Sequence, residues 1–135
     1  MKGIADTGLI VALLNRDDRY HQWALEIARA VSEPLLTCES VLSEAAYQVR
    51  STEWVLGLVQ GGFLKIGFEL TKNFDQVCEL AGRYADRKPH VADLCLVRMS
   101  ELYPNYPVMT VDETDFRVYR RNKREAIPLI CPPRE

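Results

Sequence analysis

Four acidic residues differ from the ordinary charged surface residues of this chain because their sequence neighbours are apolar. Asp6 and Asp112 each follow a short apolar run that is typical of a buried β-strand. Glu44 lies on the apolar side of a predicted helix, and Asp93 lies in the first turn of another, strongly apolar helix. Taking a carboxylate out of water costs several kcal/mol unless positive charge or hydrogen bonds compensate it. These four residues are therefore the candidates for chemistry.

The chemistry that these acids predict is metal binding. If the two strands belong to one parallel sheet, their carboxyl ends meet at the same edge and the acids share a crevice. Carboxylates a few Å apart raise each other's pKa, and a cation relieves that repulsion. Oxygen ligands select Mg²⁺ or Mn²⁺, and such an ion can activate water and neutralise charge on a phosphodiester. The sequence contains no Walker loop, no G-x-G-x-x-G motif and no nucleophilic Ser, Cys or Lys motif.

Asp6 has a second interpretation that the sequence leaves open. Asp6, Thr7 and Gly8 precede a run of apolar helix-forming residues. Because Asp is a favourable N-cap residue, its side chain would satisfy a backbone amide at the start of that helix. On this interpretation Asp6 begins the helix and takes no part in chemistry.

The elements that must position these acids alternate between strands and helices. The apolar runs predict a strand that ends at Asp6 and further strands over residues 35–38, 63–70, 107–111 and 127–130. Apolar residues at helical spacing predict helices after Thr7, over 20–31, after Glu39, over 53–60, after Thr71 and over 90–102. This alternation predicts an α/β fold, a three-layer α/β/α sandwich with a central, mostly parallel sheet, in a single domain over residues 1–135.

Composition limits the class of protein. With 135 residues, of which 47% are hydrophobic, the chain can bury a core. Its net charge of −2 gives no overall attraction to nucleic acid, so a polyanion would need a local patch or a metal. The irregular spacing of Cys38, Cys78, Cys95 and Cys131 favours reduced, core-filling thiols over a zinc site. We expect no signal peptide and no membrane span, and therefore a cytoplasmic protein without a membrane partner.

Five segments of the chain occur together in an order that resembles a known family. They are Ala5–Leu14, Arg16–Asp18 with His21, Ser43–Ala45, Ala92–Asp93 and Thr110–Phe116. In this order and spacing the chain resembles the PIN domain, and within it the small VapC-like toxins of bacterial and archaeal toxin–antitoxin pairs. The resemblance covers nearly the whole chain.

The resemblance implies a PIN-like fold and a divalent-metal-dependent endoribonuclease that uses Mg²⁺ or Mn²⁺ to cleave an RNA substrate. Its acidic quartet falls on the four acids already named, Asp6, Glu44, Asp93 and Asp112. Asp115 is an additional candidate, and Thr7 or Thr110 is expected to orient a carboxylate or a water. The resemblance also implies a homodimer and a cognate antitoxin protein.

A basic run near the C-terminus has two interpretations. The simpler one is a solvated loop. Alternatively the run is an edge that contacts phosphate groups, since Lys and Arg supply much of the affinity for nucleic acids. On that interpretation the candidate substrate-binding residues are Arg117, Arg120, Arg121 and Lys123.

The two histidines are interpreted as structural residues in the first instance. His21 lies beside aromatic residues at the start of a predicted helix. His90 lies three residues before Asp93, and from the first turn of its helix it could also approach a bound phosphate.

Two other classes of function remain open. A PIN-type domain can keep its acids and act as a non-catalytic RNA- or protein-binding module, which tight Mn²⁺ binding without RNA cleavage would reveal. A receiver-like phosphotransfer domain also gathers acids around Mg²⁺, but it needs paired acids at the first strand end and a buried Lys after a late strand. This chain has only Asp6 at the first strand end and no such Lys, so the nuclease is favoured.

Overall fold

A computed structural model describes residues 1–134. Within these residues the strands are β1 (Ile4–Ala5), β2 (Leu35–Thr37), β3 (Leu64–Ile66), β4 (Val108–Met109), β5 (Arg120–Arg121), β6 (Glu125–Ala126) and β7 (Leu129–Ile130). The α-helices are α1 (Thr7–Leu14), α2 (His21–Ala30), α3 (Glu39–Val49), α4 (Thr52–Gln60), α5 (Phe74–Arg83), α6 (Val91–Leu102) and α7 (Glu113–Val118). Two short 3₁₀ turns cover Thr71–Asn73 and Ala85–Arg87.

A five-stranded parallel sheet with the order β3-β2-β1-β4-β7 forms the centre of the fold. Ile4 of β1 is in register with Leu36 of β2 on one side and with Val108 of β4 on the other. Central parallel strands are covered on both faces, which is why Ile4 and Ala5 are both fully buried. Helices flank the sheet, and this arrangement confirms the predicted α/β fold with a mostly parallel sheet.

The helices follow the predicted apolar patterns. In α3 the buried residues are Val41, Leu42 and Ala45, so the helix packs one face inward. By contrast, α6 is buried over most of its circumference, since seven of its twelve residues are buried. A helix covered in this way has few positions at which a charged side chain can reach solvent.

The predicted strand over residues 63–70 was too long. Pairing with β2 ends at Ile66, and the Gly67 amide donates the last hydrogen bond of this region to the Thr37 carbonyl at 3.0 Å. The chain then turns toward the 3₁₀ segment Thr71–Asn73. The alternating apolar residues continued past the point where a strand partner was available.

The segment after Asp112 is more ordered than the sequence indicated. It forms α7 and then the β5–β6 hairpin, in which Asn122 and Lys123 adopt φ values of 50° and 71° at the turn. Phe116 and Tyr119 are fully buried, and their rings make an edge contact at a centroid distance of 5.4 Å. This aromatic pair holds the segment against the core, which a solvated loop would not require.

Gly8 allows α1 to approach the loop that follows β4. A Cβ atom at Gly8 would lie 2.3 Å from Cγ2 of Val111, well inside van der Waals contact. The two acid-bearing strand ends therefore come together at a position where only glycine fits.

The cysteines and the helix lengths bear on two further predictions. Cys38 and Cys95 are buried as core-filling thiols, but Cys78 is exposed on α5, because it lies on the outer face of that amphipathic helix. No helix within residues 1–134 has both the length and the apolar character needed to cross a membrane.

Candidate active site

Asp6 lies immediately after β1, and it is both a helix cap and a buried acid. Its Oδ1 accepts a 2.7 Å hydrogen bond from the Thr7 amide, so Asp6 is the N-cap of α1. Its Oδ2 accepts a 2.6 Å hydrogen bond from Thr110 Oγ1, which comes from the end of β4. The side chain is only 6% exposed, and burial raises the pKa of Asp6 from 3.8 to about 6. Capping alone does not require this degree of burial.

Thr110 also positions Asp112. The Asp112 amide donates a 2.9 Å hydrogen bond to Thr110 Oγ1, while the Asp112 side chain accepts from the Asp115 amide at 3.1 Å and caps α7. Burial is the main cause that raises the pKa of Asp112. One threonine hydroxyl therefore links the side chain of Asp6 to the backbone of Asp112.

Glu44 reaches the same region from α3. Its Oε2 accepts a 3.1 Å hydrogen bond from Thr7 Oγ1, and its Oε1 lies 3.1 Å from His90 Nδ1. Thr7 is in the first turn of α1 and His90 directly precedes α6, so Glu44 contacts two neighbouring elements. The apolar neighbours of Glu44 in the sequence correctly indicated that it lies on the inward side of its helix.

Asp93 lies in the first turn of α6. Its Oδ2 accepts a hydrogen bond from the His90 amide at 3.4 Å, so it helps to cap the helix. Burial raises the pKa of Asp93 from 3.8 to about 6, and the negative charge of Asp6 contributes to the shift. The N-terminus of a helix favours a carboxylate by about 0.3 to 1 kcal/mol, and here that effect does not offset burial.

All four acids line one cleft. Its volume is about 300 Å³. Asp6, Glu44, Asp93 and Asp112 line it together with Asp115. Asp115 is engaged otherwise, because its Oδ1 accepts a 2.6 Å hydrogen bond from the Arg87 guanidinium. The four carboxylates come from four different elements of the fold, so the tertiary structure brings together residues that span more than 100 positions of the chain.

The cleft is rich in negative charge, and its acidic side chains offer carboxylate oxygens as possible metal ligands. The charges of Asp112 and Glu44 raise the pKa of Asp6 beyond the effect of burial. Within residues 1–134, no three His, Cys, Asp or Glu side chains are grouped closely enough to hold a metal ion as they stand. The carboxylates thus line the cleft without converging on one point, and each accepts a hydrogen bond from a neighbouring group. Carboxylate and hydroxyl oxygens nevertheless suit a hard cation such as Mg²⁺ or Mn²⁺.

The basic run near the C-terminus does not line this cleft. Arg121 is buried, and its guanidinium donates to the carbonyls of Ser100 and Pro104, each at 3.0 Å. Its interpretation as a substrate-binding residue is therefore corrected to a structural one. Arg117 forms a 2.6 Å ion pair with Glu113 of its own helix.

The two remaining residues of the run also lie elsewhere. The Arg120 guanidinium donates to the Arg117 carbonyl at 2.8 Å, and Lys123 lies in the exposed turn of the β5–β6 hairpin. None of the four basic residues lines the acid cleft.

The cations that do line the cleft are Arg87 and Lys88, in the segment before α6. No role was predicted for either residue from the sequence. Lys88 has a left-handed backbone with φ 49° and ψ 54°, an unusual conformation for a side chain other than Gly or Asn. The only available signal was the position of two basic residues shortly before Asp93.

The histidines divide into two roles. Nδ1 of His21 lies 2.7 Å from the Ala12 carbonyl, which ties α2 to α1 and fits the structural interpretation. His90 lines the cleft beside Glu44, so it belongs to the site. Its contact with an acid 46 positions away could not be seen in the sequence.

Comparison with protein-family models finds no match for this chain, and comparison with curated proteins finds none either. The resemblance to the PIN domain therefore remains a prediction from the sequence segments. The geometry of the site is the independent observation from which a function can be argued.

Proposed function

We propose that this chain is a divalent-metal-dependent endoribonuclease of the PIN type. The observation that carries the proposal is that Asp6, Glu44, Asp93 and Asp112, from four elements, line one cleft at the carboxyl ends of two adjacent parallel strands. Ligands bind at this edge of open α/β sheets, because the connections there diverge and leave a crevice.

The cofactor in this proposal is Mg²⁺ or Mn²⁺, and the four carboxylates are the residues that would hold it. Burial, together with the charges of neighbouring carboxylates, raises the pKa values of Asp6 and Asp93 to about 6, so their charged forms are poorly compensated. When bound, a divalent ion supplies positive charge, lowers the pKa of a coordinated water and neutralises charge on a phosphodiester.

The chain's own residues have distinct tasks in this proposal. Thr110 holds Asp6 and the Asp112 backbone in a fixed relation, while Thr7 fixes one oxygen of Glu44. Lys88 provides a cation at the cleft wall, where it can bind a phosphate group of the substrate. The four acids, which would hold the metal, and Lys88, which would bind phosphate, together suit a substrate that carries phosphodiester groups.

The wider biological role follows from the resemblance alone. We propose that the protein is the toxin of a VapBC-type toxin–antitoxin pair, that it acts in the cytoplasm, and that it forms a homodimer. Its protein partner would be a cognate antitoxin. These proposals are tested separately from the nuclease activity.

The decisive experiment is cleavage of a mixed panel of structured and single-stranded RNAs by the purified protein with Mn²⁺, Mg²⁺ or EDTA. We expect metal-dependent cleavage that is lost in Asp93→Asn and kept in Asp75→Asn. Asp75 is a matched control because it is also a first-turn acid, on α5, but it is exposed and lies outside the cleft.

The negative outcomes are also informative. Cleavage that persists in both EDTA and Asp93→Asn would contradict the proposed chemistry. If the protein binds Mn²⁺ tightly but cleaves none of the RNAs, the alternative of a non-catalytic RNA- or protein-binding module is favoured instead.

A further inference from the structure

A second hollow lies beside the acid cleft, where α3 ends and α4 begins. It has a volume of about 580 Å³, and we call it the α3–α4 hollow. Its lining residues are Ala46, Tyr47, Gln48, Arg50, Ser51 and Thr52. Gln48 lines both this hollow and the acid cleft, so the two depressions adjoin along α3. A long ligand that occupies the cleft can therefore continue into the hollow.

Tyr47 is the most exposed large hydrophobic residue of the described chain. It is 85% exposed, compared with 59% for Trp54 and 56% for Phe74. Residues three and four positions apart lie on the same face of a helix, so Tyr47 follows Glu44 one turn further along α3. The ring lines the α3–α4 hollow, which adjoins the cleft at Gln48, and its surface is available to a planar group.

The other lining residues are polar, and one of them is a cation. Arg50 ends α3 in a left-handed conformation with φ 57°, and within residues 1–134 its guanidinium has neither an ion pair nor a hydrogen bond. Ser51 and Thr52 add hydroxyl groups to the same hollow. An aromatic ring next to a cation and hydroxyl groups matches the chemistry of a nucleotide, which has a planar base, a sugar and a phosphate.

The three residues that line the hollow but not the neighbouring apolar groove, Gln48, Arg50 and Ser51, are polar and favour a nucleotide over a protein partner as occupant. An apolar groove between α3 and α4 shares Ala46, Tyr47 and Thr52 with the hollow, and its apolar part is formed by Leu42, Val55, Leu56 and Ile66. A hydrophobic helix from a partner would be accommodated there. The α3–α4 hollow has fewer apolar groups and lies nearer to the acids, since only it shares Gln48 with the cleft.

We propose that the α3–α4 hollow is a subsite for a nucleotide next to the one at the acid cleft, with the base stacked on Tyr47 and a phosphate bound by Arg50. The proposal rests on the proposed ribonuclease function for its substrate, but binding at the subsite can be measured without cleavage. Stacking needs an unpaired base, so the subsite selects single-stranded segments of RNA.

The test is fluorescence anisotropy of a labelled single-stranded RNA of about ten nucleotides, in low salt with Ca²⁺ in place of Mg²⁺, with RNA integrity checked on a gel. Removal of one base-stacking aromatic weakens binding by about 5- to 100-fold. We expect a loss of that size for Tyr47→Ala, and affinity within about twofold of wild type for Tyr47→Phe, because Phe keeps the ring.

Two controls separate stacking from general damage. Phe74→Ala removes another exposed aromatic residue, at the start of α5 and outside both depressions, and should leave the affinity unchanged. An oligonucleotide with abasic sugars should bind wild type and Tyr47→Ala equally, because it has no base to stack. Circular dichroism of each variant checks that it is folded.

Each outcome decides the proposal. It is overturned if wild type does not bind the RNA, if Tyr47→Ala binds as tightly as wild type, or if Tyr47→Ala changes only the oligomeric state in sedimentation, which would make this surface a protein interface. If RNA binding depends on Tyr47 but no RNA is cleaved with Mg²⁺ or Mn²⁺, the subsite stands and the proposed catalytic function fails.

Discussion

Thr110 Oγ1 donates a 2.6 Å hydrogen bond to Oδ2 of Asp6, across 104 positions of the sequence. The same oxygen accepts from the Asp112 amide at 2.9 Å, so one hydroxyl group joins the ends of β1 and β4. Both threonine and aspartate are buried, and the bond is therefore shielded from competing water. This link determines how the two strand-end acids are placed relative to each other.

Thr110→Val should destabilise the protein and impair the site together. Valine keeps the shape but leaves Asp6 and the Asp112 amide without their partner, at a cost of about 1 to 3 kcal/mol for buried groups. Because the hydrogen bond from Thr110 lowers the pKa of Asp6, its loss should raise that pKa further. Urea unfolding measures the first effect, and Thr114→Val, an exposed threonine on α7, is the control. Equal stability of the two variants would contradict this account.

Asp6→Asn should stabilise the metal-free protein at pH 7. The pKa of Asp6 is 3.8 when unperturbed and about 6 in the folded protein, so the folded state binds the proton more tightly. Stability in EDTA must therefore fall as the pH rises from about 4 to about 6, by at most about 3 kcal/mol. Asn is neutral and also caps helices well, so the variant should lose most of this pH dependence.

The measurement for Asp6→Asn is the urea midpoint at pH 4 and pH 7 in EDTA, with the exposed Asp75→Asn as control. The half-buried Asp93 should give a change in the same direction when it is replaced by Asn, since its pKa is also raised to about 6. An Asp6→Asn variant that is less stable than wild type at pH 7 would show that the hydrogen bonds of Asp6 outweigh the cost of its burial.

Gly8→Ala should destabilise the fold by about 1 to 3 kcal/mol, because its Cβ would lie 2.3 Å from Cγ2 of Val111. Gly57→Ala on α4 is the matched control: no atom lies within 4 Å of its Cβ, so it should stabilise the helix by up to about 1 kcal/mol. Combining Gly8→Ala with Val111→Ala should restore part of the stability. Thermal unfolding of the single and double variants measures this coupling, and strictly additive effects would argue against the contact.

Arg121→Met should reduce stability and leave the affinity for RNA unchanged in the folded variant. The buried guanidinium donates to two carbonyls and to Glu125 at 2.7 Å, so its removal leaves buried acceptors without partners, at about 2 to 4 kcal/mol. Lys123→Met, in the exposed hairpin turn, should be nearly neutral. Urea unfolding and RNA binding at low temperature are measured together. A loss of RNA affinity without a loss of stability would restore the substrate-binding interpretation of Arg121.

Lys88→Gly should weaken RNA binding but keep the fold. Glycine adopts the left-handed backbone of position 88 without strain, so only the charge at the cleft is lost. We expect KM for RNA to rise several-fold and the salt dependence of binding to decrease by about one phosphate contact. Lys88→Arg should recover most of the affinity. Unchanged KM and salt dependence in Lys88→Gly would remove Lys88 from the substrate path.

The sequence by itself determined the alternation of strands and helices and the four acids that the fold brings to one cleft. These features depend on neighbours a few residues apart: an apolar run before Asp6 or Asp112, and apolar helix residues around Glu44 and Asp93. Strand and helix periodicity is local, and the carboxyl ends of neighbouring parallel strands lie at one edge whatever the details of packing.

Only the tertiary structure decided which cations accompany those acids. The run that includes Arg121 was the basic candidate for phosphate contact, yet Arg121 is buried against two carbonyls and no residue of the run lines the cleft. Lys88 and His90, in a segment without a distinctive pattern, line it instead. Contacts of this kind join residues tens of positions apart, and they follow from how whole elements pack rather than from the residues beside each side chain.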